Sequence, residues 1–227
     1  MSMRSRKEIS EENIRSDIRD LLCRFEACLP DRVDPAGLTL KSKIPFKALS
    51  LKELLFHRIT SISTAGMEMY EQNRRVPAYI LMRSALETSA LCYVLRKKLE
   101  AYLNDRDIEA LDNFLMKAIS GGRDEKSKLP AINVLTCIDH LNKEYPDFRR
   151  MYDVLCEYAH PNYQGTFAAF GSVDSKNVWL DLGAEHSQPP PEFGLAPFFM
   201  ALLIFEEHYN MCASLIAEMN EHFEKNT

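Results

Sequence analysis

Two residues of opposite charge stand four positions apart in a stretch that is otherwise apolar almost all the way round. Residues 77–98 read PAYILMRSALETSALCYVLRKK, with Arg83 and Glu87 in the middle. At that spacing both side chains share one face of a helix. Charges inside an apolar helix are costly unless they are paired or used. A guanidinium offers a flat fork of donors that matches a carboxylate or a phosphate, so Arg83 is a candidate to receive an anion and Glu87 to orient it. The alternative is an internal ion pair that fixes helix register. In either case, truncating Glu87 to alanine is expected to strand a buried arginine, at about 3–5 kcal/mol.

The second chemical stretch is residues 152–162, YDVLCEYAHPN, where Pro161 ends a helix just after His160. A near-neutral pKa lets histidine both give and take a proton. The simpler role for a histidine at a helix C-terminus is to cap carbonyls and complement the dipole. Glu157 and His160 make an ExxH spacing, but a di-iron bundle needs two such pairs and two further inward carboxylates. This chain has a single ExxH, so no metal is expected. Glu157 and Asn162 join Arg83 and Glu87 as candidate binding residues, with His160, Arg83 and Glu87 the set on which catalysis would rest. HExxH, P-loop, GxGxxG and GxSxG patterns are absent, and no cofactor is expected. His57, His140, His186, His208 and His222 stand in plainer contexts.

The elements that must position these residues are helical. Ile14, Ile18, Leu21, Leu22, Phe25 and Leu29 form a stripe that predicts a first helix over 8–29. Residues 30–49 hold three prolines and a glycine and predict a crossing loop. Ser50 and Glu53 form a capping box, which starts a second helix at Leu51 and carries it to about Arg75. Gly66 lets a neighbour approach closely. A third helix begins at Pro77 and pairs with the second in antiparallel fashion. Asn104 to Asp107 cap a fourth, closed by Gly121 and Gly122. A fifth opens at Pro130, a sixth near Pro146, and residues 196–224 make a long last helix. Between 161 and 194 the helical period is lost: residues 166–172 and 177–182 could pair as a hairpin, followed by the stiff QPPP link at 188–191.

The whole pattern predicts an all-α, single-domain bundle of about six or seven helices over residues 1–227. Its core spans 8–160 and 195–225, and an irregular insertion over 161–194 holds the short hairpin. Helices two, three and the last are expected to be central. Only 8 glycines among 227 residues argue against an all-β fold.

Charge and composition exclude some functions. A formal net charge of −5 gives no general attraction to nucleic acid or an anionic membrane. Arg74 with Arg75, and Arg96 with Lys97 and Lys98, are expected at helix C-termini on a solvated surface, at opposite ends of the bundle. No stretch is long and apolar enough to span a bilayer, and no apolar run follows the basic N-terminus. The six cysteines form no CxxC pair and sit mostly among apolar residues, as in a reduced cytoplasmic protein.

RSALE at 83–87 and YDVLCEYAHPN at 152–162, followed by Gly165, resemble uncharacterised bacterial proteins related to the HEPN superfamily. The resemblance covers roughly residues 51–165. It implies a helical bundle, often a homodimer, and a place in toxin or abortive-infection systems, where many members cleave RNA. Carried over, the family histidine falls on His160 and its buried Arg and Glu on Arg83 and Glu87. His160 would then move the proton as a ribose 2′-hydroxyl attacks the adjacent phosphate without metal, and Arg83 would stabilise the charge. Nuclease members carry an arginine four to six residues before the histidine; here nine residues separate Arg150 from His160. The expected ligand is therefore an anionic small molecule, with RNA as the alternative.

Overall fold

The computed structural model describes residues 11–124, 127–183 and 192–225. Its helices are α1 (Glu11–Ala27), α2 (Ile44–Glu71), α3 (Arg75–Asp105), α4 (Ile108–Ser120), α5 (Val134–Glu144), α6 (Phe148–Ala159), the short α7 (Ala168–Phe170) and α8 (Glu192–Lys225). A two-stranded hairpin, β1 (Gly171–Asp174) with β2 (Trp179–Leu182), is the sole sheet among the described residues. The fold is thus an all-α bundle, as the periodicity predicts.

The all-round apolar character of α3 follows from its position. α2 and α8 cover it most extensively, with α5 and α6 on the remaining flank. Ala78, Met82, Ala85, Leu86, Ala90, Leu95 and Leu99 are sealed from solvent on its several faces. A fully buried leucine-sized side chain contributes about 1.5–3 kcal/mol, so α3 is the main hydrophobic axis. Gly66 brings α2 close: a Cβ there would lie 3.3 Å from that of Leu81. The pairs Gly66–Leu81 and Arg58–Thr88 make α2 antiparallel to α3. Tyr79 against Gly194, Ser89 against Ala201 and Tyr102 against Phe223 make α8 parallel to it.

Several boundaries differ from expectation. α2 starts at Ile44, a full two turns before Leu51, because Pro45 is accommodated in its first turn. Ile44, Ala48, Leu51 and Leu55 then form one buried stripe, and Ser50 to Glu53 lies inside the helix instead of capping it. α3 begins at Arg75 and runs on to Asp105, where Arg106 takes a left-handed conformation. α5 starts at Val134, capped by Asn133, and α6 at Phe148. The first strand of the hairpin lies at Gly171–Asp174 and not over 166–172. Asn162 accepts from the Gly165 N–H and seeds a π turn over Tyr163–Phe167, which consumes those residues. The turn at 175–178 is held by Asp174, which accepts from the N–H groups of Lys176 and Asn177. The QPPP link and the start of the first helix at residue 8 lie outside the described residues. Among the described residues no helix is long and apolar enough to cross a membrane.

Candidate functional site

α3 and α6 together build the polar seam. α6 runs antiparallel to α3, with Tyr152 beside Arg83 and Glu87 and Tyr158 beside Tyr79. Arg83 Nε–H is shared between Glu87 Oε1 at 3.2 Å and the Tyr152 hydroxyl oxygen at 3.3 Å. Tyr152 donates its own proton to the same carboxylate oxygen at 2.9 Å. The three groups therefore close a triangle that fixes one edge of the guanidinium. Its terminal amino groups make no hydrogen bond among the described residues. The Arg83 side chain keeps 27% of its exposure and that of Glu87 19%, so the seam opens to solvent along one edge.

Electrostatics agree with a permanently charged arginine. Burial works against its cation, but hydrogen bonding to Tyr152 and the nearby Glu87 carboxylate outweigh it, and the pKa of Arg83 lies above its ordinary value. Burial first, and Glu87 second, push the Tyr152 phenol well above its ordinary range, so it stays a donor. Residual exposure also corrects the cost expected for Glu87→Ala. Arg83 retains Tyr152 and water after the change, and the loss falls to about 1–2 kcal/mol, most of it from the unpaired Tyr152 hydroxyl. Urea unfolding of the two proteins checks this, and a loss near the fully buried figure would show the seam closed to water.

His160 does not join the triangle. It is the extended C-cap residue of α6, exposed, and its ring makes no hydrogen bond among the described residues. The antiparallel course of α6 carries it past Tyr158 and Tyr79, away from Glu87. Its backbone is more constrained than its ring, since a Cβ on Gly165 would meet the His160 carbonyl. Glu157 and Asn162 do meet: the Asn162 amide donates to Glu157 Oε2 at 2.7 Å. Glu157 also lines an open groove of about 500 Å³ with Asn142, Asp147, Arg149, Arg150 and Asp153. Three carboxylates face two arginines there, and Arg149 is already tied to Asp139 and Asp153, so that groove is poorly disposed to an anion. The expected pocket is thus two separate features, with Arg83, Glu87 and Tyr152 in one and Glu157 with Asn162 in the other. Among the described residues no three His, Cys, Asp or Glu side chains gather as a metal would require.

A polar cluster at the α3–α5–α8 junction is assembled by residues that no local sequence pattern links. Arg96, expected at a solvated helix end, is 4% exposed in the interior of α3. It pairs bidentately with Glu100 and reaches both carboxylate oxygens of Glu144 at 3.1 Å. His208 of α8, 1% exposed, stands edge-on to Tyr93 and Tyr145. Tyr145 donates to Glu207 at 2.9 Å, so its oxygen accepts from the His208 Nε2–H at 3.2 Å. Burial, then the Arg96 charge, hold the His208 pKa below its ordinary value, while Glu207, Glu144 and Glu100 oppose them. Its members lie on three segments far apart in sequence: Tyr93, Arg96 and Glu100 on α3, Glu144 and Tyr145 at the end of α5, and Glu207 and His208 on α8.

The sign of that shift gives a pH prediction. The unfolded chain takes up a proton near the ordinary histidine value of about 6.5, and the folded one does so only below it. Stability is therefore unaffected by His208 well above that pH and declines as pH falls through it. Between about pH 7 and 5 the melting temperature should drop, and His208→Gln should flatten the drop. An unchanged slope in the variant would place the titration elsewhere.

Comparison of the chain with known protein families, curated proteins and solved structures finds no match. The class defined by fold and site is an all-α bundle whose central helix presents one arginine, fixed along its Nε edge, to solvent.

Proposed function

We propose that this chain is an anion-binding helical protein of HEPN kinship, acting in the cytoplasm as an accessory of a bacterial defence or toxin system. The observation that carries the binding role is the half-used Arg83 fork: Glu87 and Tyr152 hold Nε, and the remaining edge is left for a ligand. A phosphate or carboxylate would complete it with two parallel charge-assisted bonds, and the preset geometry lowers the ordering cost of binding. The kinship rests on RSALE in the central helix and YDVLCEYAHPN in the helix packed antiparallel against it. Six cysteines held as free thiols suit a reducing compartment. Exposure of His160, and its direction away from Glu87, favour binding over RNA cleavage.

Titration of nitrogen-15-labelled protein with inorganic phosphate should shift amide signals of residues 83–88 and 152–156 in a saturable way. Arg83→Ala should weaken this response about tenfold or more, the worth of a hydrogen bond to a charged partner. An Arg83→Ala protein that binds phosphate at these residues as well as wild type would overturn the assignment. Single-stranded RNA incubated with the protein in chelator should stay intact. Cleavage lost in both His160→Ala and Arg83→Ala would replace binding with catalysis.

A further inference from the structure

Buried polar atoms without partners are uncommon, and each one costs free energy unless water or a ligand completes it. Seven such side-chain atoms occur among the described residues, and three of them gather round one ring, that of Tyr70. They are Arg15 Nε on α1, and Arg75 Nη1 and the Tyr79 hydroxyl on α3. The Arg15 guanidinium lies 5.8 Å and that of Arg75 3.7 Å from the Tyr70 ring centre, and the Tyr79 ring lies 6.4 Å away. All three unmade bonds are donors. Hydroxyls such as those of Thr60 and Ser63 can turn to nearby carbonyls, but a guanidinium N–H has a fixed direction and no such freedom.

Glu11 is the carboxylate in contact, accepting from Arg15 Nη2 at 2.8 Å and from the Tyr70 hydroxyl at 3.1 Å. Arg75 Nε is taken by the Asn73 side-chain oxygen at 3.1 Å. Among the described residues Glu11 is the carboxylate that hydrogen-bonds in this cluster, and one donor of each guanidinium is left over. α3 begins at Arg75, and its N-cap residue Arg74 makes no side-chain capping bond, so the positive end of this helix lies beside Arg75. Tyr79 is 1% exposed and wedged against Gly194, where a Cβ would come within 2.3 Å of its ring, so its hydroxyl is held in place. Burial, then the neighbouring Tyr70 phenol, raise its pKa well above the ordinary range, and it remains a donor.

We infer that Arg15, Arg75 and Tyr79 form a second, separate oxyanion site that takes inorganic phosphate or the phosphate group of a monoester. The unpartnered donor atoms are buried and come from two helices, and a tetrahedral anion, with oxygens in several directions, suits them better than a planar carboxylate. The site stands two helical turns from Arg83 on the same face of α3, since Arg75, Tyr79 and Arg83 follow at intervals of four. It shares no ligand group with the Arg83 triangle, so either assignment can fail alone.

Phosphate titration of the nitrogen-15-labelled full chain, with melting temperature followed in parallel, tests it. Amide signals of residues 74–79 should shift saturably, and phosphate should raise the melting temperature. Tyr79→Phe removes one donor and nothing else. Without phosphate it should be as stable as wild type or more so, because an unpaired buried hydroxyl is gone, while its phosphate affinity at this site falls about tenfold. Arg75→Met should do the same to affinity while keeping much of the packing on Tyr70. Arg83→Ala should leave these shifts intact. A saturable phosphate response equal in wild type, Tyr79→Phe and Arg75→Met, or no response at residues 74–79, would overturn the site and leave an ordered water as the occupant. A phosphate ester such as phosphoserine that matches or exceeds phosphate would identify the monoester as the class, and binding of phosphate alone would identify the free ion.

Discussion

Truncating Glu53 to alanine is expected to destabilise the protein by about 3–5 kcal/mol, because it strands a buried ammonium. Lys52 is 4% exposed on α2, and its Nζ donates to Glu53 Oε1 and lies 3.6 Å from the centre of the Tyr209 ring. The second oxygen of Glu53 accepts from the Tyr209 hydroxyl at 2.8 Å. One carboxylate thus neutralises the lysine and satisfies the phenol that stacks on it. Removing it leaves Lys52, among the described residues, the face of an aromatic ring, worth about 2 kcal/mol at most when desolvated. The double variant Lys52→Met with Glu53→Gln removes both charges and keeps an acceptor for Tyr209, so it should lose far less. Urea denaturation of the two variants decides the matter. Equal losses would mean that the carboxylate matters for its packing and not for its charge.

The same residues show where sequence patterns stop being informative. Ser50 and Glu53 carry the spacing of a capping box, yet Glu53 is committed to Lys52 and Tyr209, and the helix runs straight through. The partner that redirects Glu53 lies 156 positions away, out of reach of any local rule. What local rules do capture is burial: Ile18, Leu21, Leu22 and Phe25 on α1 and Leu111 and Leu115 on α4 fall on the faces that their periodicity marks. Gly66 likewise marks the close approach of α2 and α3.

The candidate site was half legible for a related reason. Arg83 and Glu87 are linked by helix geometry alone, and an i, i+4 spacing is enough to place them in contact. Tyr152, the third member, is one tyrosine of nine in the chain and becomes special only through the antiparallel packing of α6. His160 looked special because its side chain is chemically versatile, but Pro161 ends α6 there and leaves the ring outside the seam. Histidine type misled in the other direction at His208, which lies buried beside Arg96, Tyr93 and Tyr145 although its neighbours in sequence gave no hint. Charge and spacing along one helix are readable; which helix faces it is a property of the assembled core.

That core should be most sensitive at Phe205. Its ring is sealed from solvent and touches those of Phe25, Phe56 and Tyr209, with centroids 6.0, 6.2 and 5.7 Å away. These four rings join α1, α2 and α8. Phe205→Ala is expected to cost about 3–5 kcal/mol, from lost transfer free energy and from the void left behind. Relaxation should be poor because the neighbouring rings are themselves rigid and packed on one another. Phe205→Leu conserves most of the volume and should cost roughly 1.5 kcal/mol or less. The void in the alanine variant would be lined by the rings of Phe25, Phe56 and Tyr209, so benzene should fill it. A melting temperature of Phe205→Ala that rises with added benzene, beside one of wild type that does not, would place the cost in the cavity. If the alanine variant instead loses less than about 1 kcal/mol, α1 and α8 must close over the gap, and the aromatic junction is softer than its packing implies.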